Sequence, residues 1–138
     1  MRGRKERVEM DLAEKARRIR FVMHKTRKIL LFDFTGLNDM NDALEVIAYA
    51  RDLVAKQAPS SLYTLSDITD SRYDRHVTSA LQELAKHNKP YVIAGAAVGV
   101  AGLQKVVFRS ILAFSGRTNI KLFDDRASAM DWLATYQG

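Results

Sequence analysis

Apolar residues recur along the 138-residue chain with two alternating signatures. Between Met40 and Lys56, Ala43, Ile47, Ala50 and Val54 return every three or four positions, flanked by Leu44, Val46 and Leu53, which lines one face of a helix. Asn38 or Asp39 stands ready to cap it. The same period carries Tyr73, Val77, Ala80, Leu81 and Leu84, in a helix starting at Asp70 or Ser71 and stopped by Asn88 and Pro90. A third helix is predicted over Leu103 to Phe114, opened by Gly99 and Gly102 and closed by Ser115-Gly116. A fourth is predicted over Arg126 to Tyr136, capped by Asp124 or Asp125, with Ala129, Met130 and Leu133 turned inward. Between these lie short apolar runs at 28–34, 62–68, 91–98 and 119–123, which read as strands. The run 91–98 is continuously apolar, as expected of a strand covered on both faces.

From residue 28 onward the order is strand then helix, four times over. Such alternation predicts right-handed crossovers and a mostly parallel sheet. A further run at 19–23, joined to the next by His24-Lys25-Thr26-Arg27, predicts a hairpin and hence one antiparallel edge strand. Val8, Leu12 and Ala16 suggest a short helix over 8–18. The expected architecture is a single α/β domain over 19–138, with a four- to five-stranded sheet, preceded by a basic arm over 1–18. No internal repeat stands out.

Composition narrows the chemistry. There is no cysteine, which excludes disulfides, thiolate metal sites and a cysteine nucleophile and fits a protein of a reducing, cytoplasmic compartment. The three histidines, His24, His76 and His87, are far apart. The longest apolar stretch, 91–103, is too short and glycine-rich for a membrane span. The net charge of +6 is an N-terminal property: residues 1–28 hold eleven Lys/Arg against four acids, and the remainder is near neutral. Such an arm can attract nucleic acid, although no aromatic residue precedes Phe21 to stack on bases.

Four features carry candidate chemistry. Asp70, Ser71 and Asp74 stand at a predicted helix start, where Asp70 or Ser71 would cap free amides; with Asp67 and His76 they also form a loose acidic cluster, with nothing further to mark a metal site. Gly95, Gly99 and Gly102 fall at a strand-to-helix junction without spelling a dinucleotide or phosphate-loop motif; Gly99 and Gly102 leave room for an anion at the helix start. The third helix is apolar nearly all round. Leu103, Val107, Ile111 and Phe114 are the expected core stripe, which leaves Phe108 and Leu112, with Trp132 and Tyr136, for the final helix or for a homodimer or partner surface. No nucleophile–base–orienter set can be assembled, so neither an enzyme nor a cofactor is expected.

With the segments SDITDSRYD, NKPYVIAGAAVGVAGLQ and NIKLFDD in this element order, the chain resembles the SpoIIAA-like group of STAS domains (sulfate transporter and anti-sigma-factor antagonist), also described as STAS/Sec14-like. The likeness covers about 19–138. It implies a bacterial, non-enzymatic signalling module that binds protein partners, in some members switched by phosphorylation. Asp67-Ile68-Thr69 and Asp70-Ser71 match the two pieces of the antagonists' switch, which makes Ser71 the implied phosphate acceptor beside Asp67, Thr69 and Asp70. The loop between the pieces is missing here, and Arg72-Tyr73 replaces a small Ser-Gly. The Sec14-like description implies an alternative, a small apolar or lipid-like ligand; nucleic acid held by the basic arm is a third reading.

Overall fold

The computed structural model describes residues 9–138. The first basic residues, Arg2 to Arg7, and the helix start expected at Val8 lie outside them. The elements follow the predicted order: α1 (Leu12–Arg18), β1 (Ile19–His24), β2 (Arg27–Asp33), α2 (Met40–Ala55), β3 (Leu62–Asp67), α3 (Arg75–Asn88), β4 (Val92–Val98), α4 (Gln104–Ser115), β5 (Ile120–Phe123) and α5 (Arg126–Thr135).

The five strands form one sheet in the order β1-β2-β3-β4-β5. β1 pairs antiparallel with β2 through the predicted hairpin, and β2 to β5 are mutually parallel. Because each crossover steps to the next strand in the same direction, one handedness puts the intervening helices on one face. The core on that face joins α2, α3 and Ile111 of α4 to Leu30, Phe32, Leu62 and Val92. α5 follows the last strand and covers the opposite face, where Ala129 and Leu133 pack on Ile29, Leu31, Leu65, Ala94, Ala96 and Val98. β4 is thus interior and buried from both sides, as its unbroken apolar run requires.

The described cations of the N-terminal segment, from Lys15 on, are tied down. Asp11 caps α1 by accepting from the Glu14 amide, and Glu14 pairs with Arg17 and Arg18. Arg18 Nη1 donates to the carbonyls of Asp33 (3.0 Å) and Thr35 (2.9 Å), fixing α1 to the end of β2. Lys15 pairs with Glu45, Lys25 with Asp131, and Arg27 caps the end of α5 through the Leu133 and Tyr136 carbonyls. Every Lys or Arg from 15 to 28 therefore has a partner within the fold, with Arg20 on the Arg17 carbonyl and Lys28 over the Phe21 ring.

Two expected details change. α3 does not begin at Asp70 or Ser71: Asp74 is its cap, accepting from the Val77 amide at 2.9 Å, and the helix starts at Arg75. On α4 the inward stripe is Gln104, Val107, Phe108, Ile111 and Leu112, while Leu103 is 86% and Phe114 47% exposed. Gln104 sets this rotation, because its Nε2 donates to the Ser71 carbonyl at 2.6 Å and turns that side of the helix toward the β3–α3 loop.

Candidate functional site

The carboxyl ends of β2 and β3 carry the same short loop. Asp33 and Asp67 are register partners across the sheet. In each, Oδ1 accepts from the amide (3.0 Å) and the hydroxyl (2.6 Å) of the threonine two residues on, Thr35 or Thr69. The next residue is left-handed in both, Gly36 at φ 67° and Asp70 at φ 57°, and the residue after it returns its amide to the loop, Leu37 to Phe34 and Ser71 to Ile68. The two loops are stitched by Phe34 N–H to the Asp67 carbonyl and Gly36 N–H to the Thr69 carbonyl. This is a local repeat, Asp-x-Thr, absent from the sequence reading because only two residues of each segment are identical.

Arg126, at the start of α5, binds both aspartates: Nε donates to Asp67 at 2.6 Å, and Nη2 lies 3.4 Å from Asp33. Burial would raise the Asp33 carboxyl, but the hydrogen bonds from Thr35 and the charges of Arg126 and Arg18 together hold it below its ordinary value. Two carboxylates thus sit at the sheet's carboxyl edge without repelling each other apart. Asp67 turns to Arg126 and Asp74 to its helix, so the loose cluster of Asp67, Asp70, Asp74 and His76 does not converge; among the described residues no group of three or more His, Asp or Glu could hold a metal.

Ser71 occupies the place that Leu37 fills in the first loop, and both are 4% exposed. Its hydroxyl donates to the Ile68 carbonyl at 2.6 Å and lies 2.9 Å from the Tyr73 hydroxyl, with Gln104 Nε2 bonded to its backbone carbonyl. Burial pushes the Tyr73 phenol up to about 12, against the opposing effect of the Ser71 hydrogen bond. The implied phosphate acceptor is therefore an inward-facing, loop-closing residue at some distance from the α3 cap. Thr69 and Asp70 beside it are exposed. A kinase would reach Ser71 only after Tyr73 and Gln104 had moved aside.

Gly99 answers to packing. Its φ is 86°, and a Cβ there would lie 2.5 Å from the Thr69 amide nitrogen, so only glycine lets the β4–α4 loop lie against the second Asp-x-Thr loop. Gly102 ends in a turn whose carbonyls already receive the first amides of α4: Gln104 N–H bonds Ala101, Lys105 bonds Gly102, and Val106 bonds Leu103. The amides expected to meet an anion at Gly99 and Gly102 are in large part spent.

The remaining candidates separate. Trp132 lies on the α5 face, its ring 5.4 Å from Phe123 and 5.1 Å from Tyr136. Phe108 and Leu112 instead line a pocket of about 90 Å³, partly open to solvent, between α3, α4 and the sheet. α4 packs on α3. Phe34, Ile68 and Tyr73 line one part of the space and Leu84, Val92 and Ile120 another. Arg117 also lines it, a buried cation with no local pattern around it to mark it in the chain.

No protein-family model matches the chain, and no curated protein matches it. The fold is nonetheless identifiable as SpoIIAA-like, the class that the sequence resemblance implied. A solved structure of an uncharacterized protein of the DUF3478 family with a SpoIIAA-like fold, from Shewanella loihica PV-4, superposes with a TM-score of 0.65 over 83% of this chain and 91% of its own, at 20% sequence identity. Among the described residues no helix is long and apolar enough to cross a membrane.

Proposed function

We propose that this is a non-catalytic binding domain of STAS-like fold that takes a small apolar molecule into the space beneath α4. The observation that carries the reading is the pocket itself, which is partly open to solvent and has room for roughly six to nine water-sized spheres behind Val107, Phe108, Ile111 and Leu112. Small-molecule sites are of this kind, apolar walls with a few polar groups. Straight-chain alcohols of increasing length, titrated by calorimetry, test it. Affinity should rise by about 0.8 kcal/mol per methylene until the space is full, and Ala97→Leu, which adds volume from the β4 floor, should abolish binding. Affinity independent of chain length, or unaffected by Ala97→Leu, would overturn the reading.

A second reading, docking of a protein partner or a second copy of the chain, is favoured by the outer side of α4, where Leu103 and Val106 are 86% and 65% exposed. Light scattering of the full chain and of Val106→Glu tests the second-copy form: a dimer that the variant splits supports it, and a monomeric wild type removes it.

A further inference from the structure

Arg117 follows the C-cap of α4 and is only 7% exposed. Among the described residues no carboxylate pairs with it. Its Nε donates to Asn119 Oδ1 at 3.0 Å and its Nη1 to the Ala85 carbonyl at 3.2 Å, in the last turn of α3, where the helix end favours a cation. Asn119 is itself held, its Nδ2 donating to the carbonyls of Val92 and Ile93. These contacts fix the guanidinium and leave Nη2 without a partner in the protein. Thr64, 4% exposed, likewise keeps a hydroxyl with no hydrogen bond among the described residues. The two groups approach each other beside Gly95, where a Cβ would lie 2.6 Å from Ile120 Cδ1, 2.9 Å from Thr64 Oγ1 and 3.6 Å from Arg117 Nη2, so the Ile120 side chain fills the point over the glycine itself. Both residues line the cavity under α4.

A buried cation without a counter-charge is costly, and the bonds to Asn119 and to the Ala85 carbonyl use only two of the five guanidinium N–H groups. We propose that Arg117, with Thr64 beside it, is the head-group site of this cavity, and that the ligand is an apolar molecule bearing a carboxylate. The carboxylate would accept from Arg117 Nη2 and from the Thr64 hydroxyl, with the end of the Ile120 side chain turned aside from Gly95 to admit it, and the apolar part would lie along Leu112, Phe108 and Val107 toward Tyr73. Asn119 is then a positioning residue, since it orients the guanidinium and does not touch the ligand. This inference rests on the reading of the cavity as an apolar binding site and adds the charge of what enters it.

Octanoate and octanol, titrated into the full chain at neutral pH by calorimetry, separate the two claims. The charge-assisted bond should make octanoate at least about tenfold tighter than octanol. Arg117→Gln should remove that preference by weakening octanoate at least about tenfold more than octanol, while Arg117→Lys should retain part of it. Equal affinity of the wild type for the two ligands, or an equal loss of both in Arg117→Gln, overturns the head-group assignment and leaves the apolar cavity standing. Failure of both to bind overturns the cavity reading and this inference with it. If Arg117→Gln does not fold, as circular dichroism would show, the wild-type ratio and Arg117→Lys decide the matter.

Discussion

Three successive strand–helix units cover the same face of this sheet, and the third differs from the other two. β2–α2 and β3–α3 each leave the sheet through an Asp-x-Thr clasp, at register-paired Asp33 and Asp67. The position on β4 that pairs with Asp67 is Val98, followed by Gly99 and Val100, and no clasp forms. α2 buries Ala43, Val46, Ile47, Ala50 and Val54, and α3 buries Val77, Leu81 and Leu84, whereas α4 buries only Ile111 and Ser115. Beneath α4, β4 offers only Gly95 and Ala97; Ile120 of β5 fills the point over Gly95, where a Cβ would lie 2.6 Å from its Cδ1, and the pocket is bordered by Ala97, Phe108 and Leu112. A βα unit whose strand carries small residues and whose loop lacks its own clasp holds its helix with fewer buried side chains, and the pocket beneath it is where the proposed ligand would go.

The sharpest way to break this contrast is to cut into each helix alike. Ile47→Ala should cost about 2–5 kcal/mol, as deletion of a packed side chain does. Phe108→Ala should fall below the roughly 3–5 kcal/mol usual for phenylalanine, because its ring already borders empty space. Urea unfolding of both variants checks the difference, and a larger loss for Phe108→Ala would mean that α4 is seated as firmly as α2.

The helix starts offer a smaller test. Asp74→Ala should destabilise by about 1 kcal/mol through loss of the α3 cap. Leu103→Ser, at the uncapped and exposed start of α4, should stay within about 0.5 kcal/mol. Thermal melts of the two variants compare the units directly.

The clasp is also testable by pH. Asp33 has a folded-state pKa below its unfolded one, so its contribution to stability is present above the ordinary carboxylate range and is lost as the pH falls through the lowered folded value. Asp33→Asn should therefore destabilise at pH 7 and approach the wild type in acid. Chemical denaturation across that range measures the convergence, and a pH-independent difference would remove the charge from the explanation. The smallest effect should be in native-state hydrogen exchange, where α4 amides are expected to open at lower free energy than those of α2 and α3.

The periodicities of 3.6 and 2 determined the element order, the hairpin, the parallel sheet and the buried place of β4, because each is a local pattern of apolar spacing or a consequence of chain connection. A cap for α2 at Asn38 or Asp39 was legible for the same local reason, and the structure uses Asp39. The cap of α3 was not: Asp70, Ser71 and Asp74 all suit a cap, and the choice fell to Asp74 because Asp70 and Ser71 are drawn into closing the second Asp-x-Thr loop. Likewise, α4 is apolar on so many sides that spacing could not orient it, and the hydrogen bonds of Gln104 to the β3–α3 loop turned Phe108 and Leu112 inward. Arg126 meets Asp67 across 59 positions, and Arg117 meets Ala85 across 32. Such pairings have no signature in a linear sequence, since any surface arginine reads the same until the chain has folded and decided which one is enclosed.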